Sequence, residues 1–190
     1  MLTLFRRWLK SRVCRSFAIV LFIATAWGAW WIAPPRADLK LVIPVAEGTD
    51  WIRFAADGRS ILFTSDRGGS PQIYRLTVGS GAIERMTYDG SYNVSPRNLP
   101  DGRGFVFVRR DGGRFNIALQ DFATRQVQIL TQGSLDESPS VAPNGKLIIY
   151  ASETGGRGIL AAVSSDGRVK QRLTAAASDV REPAWGPLLK

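Results

Sequence analysis

The sequence predicts an all-β fold, a partial β-propeller of three four-stranded blades plus the first strand of a fourth, preceded by an N-terminal signal or transmembrane helix. Three observations predict it. A unit of 43–44 residues recurs three times. Each copy carries its turn signals at the same offsets, and the runs between those signals are rich in β-branched, aliphatic and aromatic residues.

The anchors of the repeat are Asp57-Gly58, Asp101-Gly102 and Asn144-Gly145. Such pairs supply the left-handed residue that tight hairpin turns require. After each comes an apolar strand: SILFTS at 60–65, GFVFVR at 104–109 and LIIYAS at 147–152. A glycine pair marks the next turn, at 68–69, 112–113 and 155–156. The following strands read QIYRLTV, NIALQDF and GILAAVS, apolar on both faces as expected for a sheet packed between two others. A threonine then closes each unit, Thr87, Thr131 and Thr174, always 30 residues after the Asp or Asn. One further strand precedes each anchor, at 51–56, 96–100 and 139–143, and the same position recurs at 183–187. Four short strands in 40–45 residues is the plan of a propeller blade. The repeats run over about 51–94, 95–137 and 138–182, with the opening strand of a fourth in 183–190. Trp51 and Trp185 fall near corresponding strand positions and are expected in the core.

The first 35 residues follow another plan. Residues 1–16 are basic, residues 17–33 (FAIVLFIATAWGAWWIA) are apolar, and Pro34-Pro35 ends any helix. A charged segment followed by an apolar one is the layout of an export signal. Ala24-Thr25-Ala26 offers a cleavage site, whereas the continuation through Trp30 and Trp31 suits a retained anchor. Both readings stay open, and both place residues 34–190 outside the cytoplasm by the positive-inside rule. Residues 36–50 read as an extended linker.

Charge and composition narrow the function. Six of the cations behind the net charge of +9 precede the first acidic residue, Asp38, and the remaining excess is dispersed along the chain. No clustered footprint for nucleic acid is present. With no histidine and a single cysteine, Cys14 in the leader, the chain lacks the parts for a Ser-His-Asp or Cys-His nucleophile. No Gly-x-Ser-x-Gly elbow and no phosphate-binding glycine loop occurs. Asp66, Asp111 and Glu153 come one per repeat and are assigned to turns, not to a cation. No catalytic residue, metal or cofactor is assigned, and membrane contact is expected only through the N-terminal helix.

The repeat motifs carry a resemblance. TSDRGGSPQIYRL at 64–76, LDESPSVAPNGKLIIYAS at 135–152, SSDGRVKQRLTA at 164–175 and EPAWGP at 182–187 resemble consecutive pieces of the C-terminal half of the TolB family, a WD-like propeller subclass. RADLKLVI at 36–43 is similar to the start of the mature family protein, the part linked to TolA. Members carry a signal peptide, an α/β domain and six blades, so the resemblance implies a truncated member lacking the α/β domain and about three blades. It implies a non-catalytic periplasmic scaffold of the Tol–Pal envelope-integrity and protein import system. The implied partners are a Pal-like peptidoglycan-associated lipoprotein and TolA. A second copy of the chain that completes the ring is a further expectation. The alternatives are a membrane-anchored propeller sensor module not linked to Pal, and a non-functional remnant of a longer gene.

In the family, the lipoprotein docks at the mouth of the propeller channel. The Glu-Pro found there is matched by Glu182-Pro183, and in part by Ser138-Pro139 and Ser95-Pro96. The resemblance therefore implies a protein-binding rim of Tyr92, Asn93, Asp136, Glu137, Ser138, Arg181 and Glu182. Taken singly, each of these polar residues is better read as capping a turn; taken as a set, they form a docking rim.

Overall fold

The computed structural model describes the backbone of residues 50–54 and the residues 58–173 and 179–186. The expected leader (1–35) lies outside the described residues, as does the 36–50 linker up to residue 49. Among the described residues no helix is long and apolar enough to cross a membrane.

The anchors do what their residue types dictate. Gly58, Gly102 and Gly145 hold φ of 64°, 72° and 70°, a region closed to most side chains, and so turn each first strand back into the second. Among the described residues twelve strands result. The first blade contains β1 (Asp50–Phe54), β2 (Ser60–Ser65), β3 (Gln72–Thr77) and β4 (Ile83–Arg85). The second contains β5 (Asn93–Asn98), β6 (Gly104–Asp111), β7 (Arg114–Asp121) and β8 (Val127–Ile129). The third contains β9 (Asp136–Val141), β10 (Leu147–Thr154), β11 (Arg157–Ser164) and β12 (Lys170–Arg172). Each blade is an antiparallel meander in which every strand pairs with the next. No strand ladder runs from one blade to the next; the blades are joined by packing, by loops and by isolated backbone contacts such as the Phe115–Leu135 bridge.

The closing threonine has a structural purpose. Thr87 Oγ1 accepts from the Ile73 amide at 3.0 Å, and Thr131 Oγ1 accepts from the Ile117 amide at 2.9 Å. The residue before each threonine donates its amide to the same strand residue: Met86 to Ile73 and Leu130 to Ile117, both at 2.8 Å. The side chain thus satisfies the next donor just where the short outer strand ends.

Side-chain alternation divides each middle strand between two neighbours. Phe105, Phe107 and Ala118 face the first blade, where they meet Leu62, Ile73 and Met86. Val106, Val108 and Ile117 face the third, where they meet Ile148, Tyr150, Ala161 and Val163. Ile61, Phe63, Tyr74 and Leu76 form a further cluster on the opposite face of the first blade. Burying a side chain such as Phe107 contributes about 2–3 kcal/mol, so these seams are what holds one blade to the next. The first strands lie innermost: β5 packs against both β1 and β9. This arrangement is that of consecutive propeller blades around a common axis.

Beyond the third blade, residues 179–186 run back along it without joining a ladder. The Val180 amide donates to the Gly158 carbonyl at 3.1 Å, and the Trp185 amide donates to Ser140 Oγ at 3.1 Å. Trp185 differs from the expectation of a core residue. It is 40% exposed.

Candidate functional site

Each innermost strand begins with an irregularity. The register slips between Val94 and Arg97 on β5, and between Glu137 and Ser140 on β9. The slip contains a residue followed by proline, Ser95-Pro96 and Ser138-Pro139. A following proline already disfavours the right-handed helical region, and the bulge requires the chain to turn sharply. The observed solution is left-handed: φ is 56° at Ser95 and 53° at Ser138. Glu182, before Pro183, repeats it at 49° without any strand ladder. Among the described residues the only other non-glycine residue in this region is Arg125, in the β7–β8 turn. A left-handed non-glycine residue costs on the order of 1–3 kcal/mol, and here the cost recurs at one repeat position.

The consequence is a shared mouth. Ser95, Ser138 and Glu182 line one cavity of about 930 Å³ at the end of the inner strands. Tyr92 and Phe115 form one wall, with their rings edge to face at 5.7 Å. The wall is fixed by the backbone, since the Arg110 amide donates to the Tyr92 carbonyl at 3.0 Å. The Ser95 amide donates to Thr64 Oγ1 at 3.3 Å, which ties the second blade's bulge to β2. Glu137 and Arg181 also line it, and their charged groups lie 3.7 Å apart and remain exposed. Asp66 and Glu182 add two further carboxylates, so the lining is acidic overall.

Five of the seven expected rim residues line this cavity: Tyr92, Glu137, Ser138, Arg181 and Glu182. The other two do not reach it. Asn93 is fully buried, and its Nδ2 donates to Gln72 Oε1 and to the Asp89 carbonyl, both at 2.9 Å. Asp136 is 1% exposed and accepts from the Gly133 amide at 3.0 Å and from the Ser152 hydroxyl at 2.6 Å. Alternation explains the exclusion: each sits one residue before a lining residue and so points to the other face of its strand. Conversely, Ser95 and Phe115 line the mouth and were not among the expected rim residues. The Ser-Pro pairing of Ser95 was the available signal; Phe115 had none.

Nothing in the lining pairs a nucleophile with a general base, and the chain has no histidine. Among the described residues no group of three His, Cys, Asp or Glu could hold a metal ion. An acidic, partly aromatic concavity on rigid strand ends is suited to holding a projecting polar segment.

The TolB beta propeller domain model matches residues 45–189. The chain belongs to that family. It is 63% identical over 118 residues to a Tol-Pal system protein TolB of Nitrosospira multiformis, a match covering 60% of this chain and 27% of that protein. The crystal structure of TolB from Acinetobacter baumannii is similar at a TM-score of 0.68 and 46% identity, over 74% of this chain and 35% of that one. The chain thus spans about a quarter to a third of the length of these two relatives. A puromycin-hydrolyzing peptidase of Mycobacterium tuberculosis is similar at a TM-score of 0.52 and 15% identity, over 67% of this chain and 23% of that one. That likeness shows the propeller fold alone. The mouth described above is therefore a feature of a TolB propeller, built at the positions where its repeats turn into their inner strands.

Proposed function

We propose that this TolB-like propeller is a non-catalytic, periplasmic protein-binding scaffold of the Tol–Pal envelope system. Its mouth docks a peptidoglycan-associated lipoprotein. The observation that carries the reading is the recurrence of a left-handed residue before proline at Ser95, Ser138 and Glu182, all lining one concavity. Strained backbone clusters at sites that bind, and here it is kept at the same place in successive repeats. The names of the relatives support the system, and the leader read in the sequence supports export. The docking rim comprises Tyr92, Glu137, Ser138, Arg181 and Glu182, with Ser95 and Phe115 added by geometry.

The test is capture of a purified peptidoglycan-associated lipoprotein by the full chain, with Glu182→Ala and Glu137→Ala beside it. The expected result is binding by the parent and at least a tenfold loss in each variant, the size of a removed charge-assisted contact of about 1.4 kcal/mol. A folded parent that captures none of the lipoprotein overturns the assignment of partner. Binding that both variants retain in full overturns the assignment of rim.

A further inference from the structure

We infer that the seam between the first and second blades holds a fixed cluster of water molecules, bound by Asn93, Arg109 and Gln120. A cavity of about 50 Å³ lies there, lined among others by Thr87, Asp89, Asn93, Phe107, Arg109 and Gln120. Three buried polar atoms of these residues have no hydrogen-bond partner in the protein: Asn93 Oδ1, Arg109 Nε and Gln120 Oε1. All three residues line this one cavity.

The orientation of the two amides is fixed by their other ends. Asn93 Nδ2 is committed to Gln72 Oε1 and the Asp89 carbonyl, and Gln120 Nε2 donates to the Met86 carbonyl at 2.8 Å. Exchanging oxygen and nitrogen would set acceptor against acceptor at Gln72 Oε1 and the Asp89 carbonyl for Asn93, and at the Met86 carbonyl for Gln120, so Asn93 Oδ1 and Gln120 Oε1 are the acceptors that face the cavity. Arg109 Nε is a donor awaiting an acceptor.

The next seam shows how this position is satisfied when it is dry. Asn93 and Arg109 are directly opposed on β5 and β6, and Asp136 and Ser152 are the equivalent pair on β9 and β10. In the third blade the pair bonds directly, Ser152 Oγ to Asp136 Oδ1 at 2.6 Å. In the second, the long guanidinium replaces the short hydroxyl and its Nε does not meet the Asn93 oxygen. The second departure is Gln120. Its repeat equivalents are Leu76 and Val163, both buried in apolar clusters. A half-satisfied amide in an apolar slot is costly unless something completes it.

The chemistry selects the occupant. Arg109 and Arg125 line the cavity and oppose a cation. Two amide oxygens and Asp89 oppose an anion. A small neutral molecule that both donates and accepts satisfies all three atoms, and the volume admits a few waters and little else. The site lies beneath the mouth: Asn93 stands between Tyr92 and Val94, which both line it. One wall of the mouth therefore rests on a hydrated seam, whereas the Glu137–Ser138 wall rests on the direct Asp136–Ser152 bond.

A high-resolution crystal structure of the full chain tests the site. Ordered water within about 2.7–3.2 Å of Asn93 Oδ1, Arg109 Nε and Gln120 Oε1 is the expected result. A dry cavity, or side chains rotated so that these atoms bond one another, overturns it. Magnetisation transfer from water to the Gln120 side chain reads the same site in solution. A contact lasting nanoseconds or longer is expected, and one no different from that of the exposed Gln126 overturns the proposal.

Discussion

The Ser152 hydroxyl donates to the Asp136 carboxylate at 2.6 Å, between residues directly opposed on β9 and β10. The other carboxylate oxygen accepts from the Gly133 amide at 3.0 Å, so one buried side chain holds the β8–β9 loop to the third blade. Asp136→Ala would leave both donors without that acceptor. The expected loss is about 2–3 kcal/mol by urea unfolding, the range for hydrogen bonds to a charged group. Ser152→Ala removes one bond and is expected to cost less, about 1–2 kcal/mol. An Asp136→Ala protein within about 0.5 kcal/mol of the parent would show that the loop does not depend on this carboxylate.

A second clasp crosses the first seam. Glu84 on β4 pairs with Arg75 of its own blade at 2.6 Å and with Arg125 of the second blade. Hydrogen bonds from the two guanidinium groups, Arg75 first, hold its carboxyl below the ordinary value of 4.5. A depressed carboxylate pKa contributes stability that is present above the unfolded value and is lost as pH falls through the folded one. The group is 40% exposed, which screens the effect. Glu84→Gln is therefore expected to cost under about 1 kcal/mol at neutral pH, and nothing once the parent is protonated. A double-mutant cycle of Glu84→Gln with Arg125→Ala isolates the inter-blade part, which high salt should diminish.

Tyr150 provides the alkaline counterpart. Burial, with a contribution from the Asp136 charge, pushes its phenol up to about 12 from the ordinary 10.0. The fold therefore binds the phenolic proton more tightly than the unfolded chain does. Its contribution is fully present below about pH 10 and is lost as pH rises to about 12. Denaturant midpoints measured across that window should fall more steeply in the parent than in Tyr150→Phe. Equal slopes in the two proteins would contradict the assignment.

Much of this architecture is written in residue types. The Asp-Gly and Asn-Gly pairs specify left-handed turns, and the positions of Thr87 and Thr131 are fixed by the amides they satisfy. What the residues did not disclose depends on direction rather than type. Asn93 and Asp136 look like rim residues because they adjoin it, yet a period of two sends them to the opposite face. The left-handed state of Ser95 and Ser138 is invisible in the letters Ser-Pro, since a following proline alone favours extended backbone, whereas the observed φ of 56° and 53° accompanies slips in the pairing with β6 and β10. Gln120 was legible as a polar residue where its repeats carry Leu76 and Val163. Its meaning was not, because it depends on which neighbouring atoms remain unpaired across the seam.

The strained positions permit a separation of strain from recognition at the mouth. Ser138 holds φ of 53°, where a side chain is tolerated at a cost and a β-branched one is poorly accommodated. Ser138→Gly relieves that cost while giving the unfolded chain more freedom, so its stability should match the parent or exceed it by up to about 1 kcal/mol. Ser138→Val should lose about 1–3 kcal/mol, because a branched Cβ crowds the left-handed backbone. Both variants remove the hydroxyl from the cavity lining, so both should weaken capture of the lipoprotein in spite of their opposite effects on the fold. Thermal or denaturant midpoints for the pair decide the first point, and binding by the folded variants decides the second. If Ser138→Gly is destabilised as much as Ser138→Val, the backbone account fails, and the serine is held there by its side chain instead.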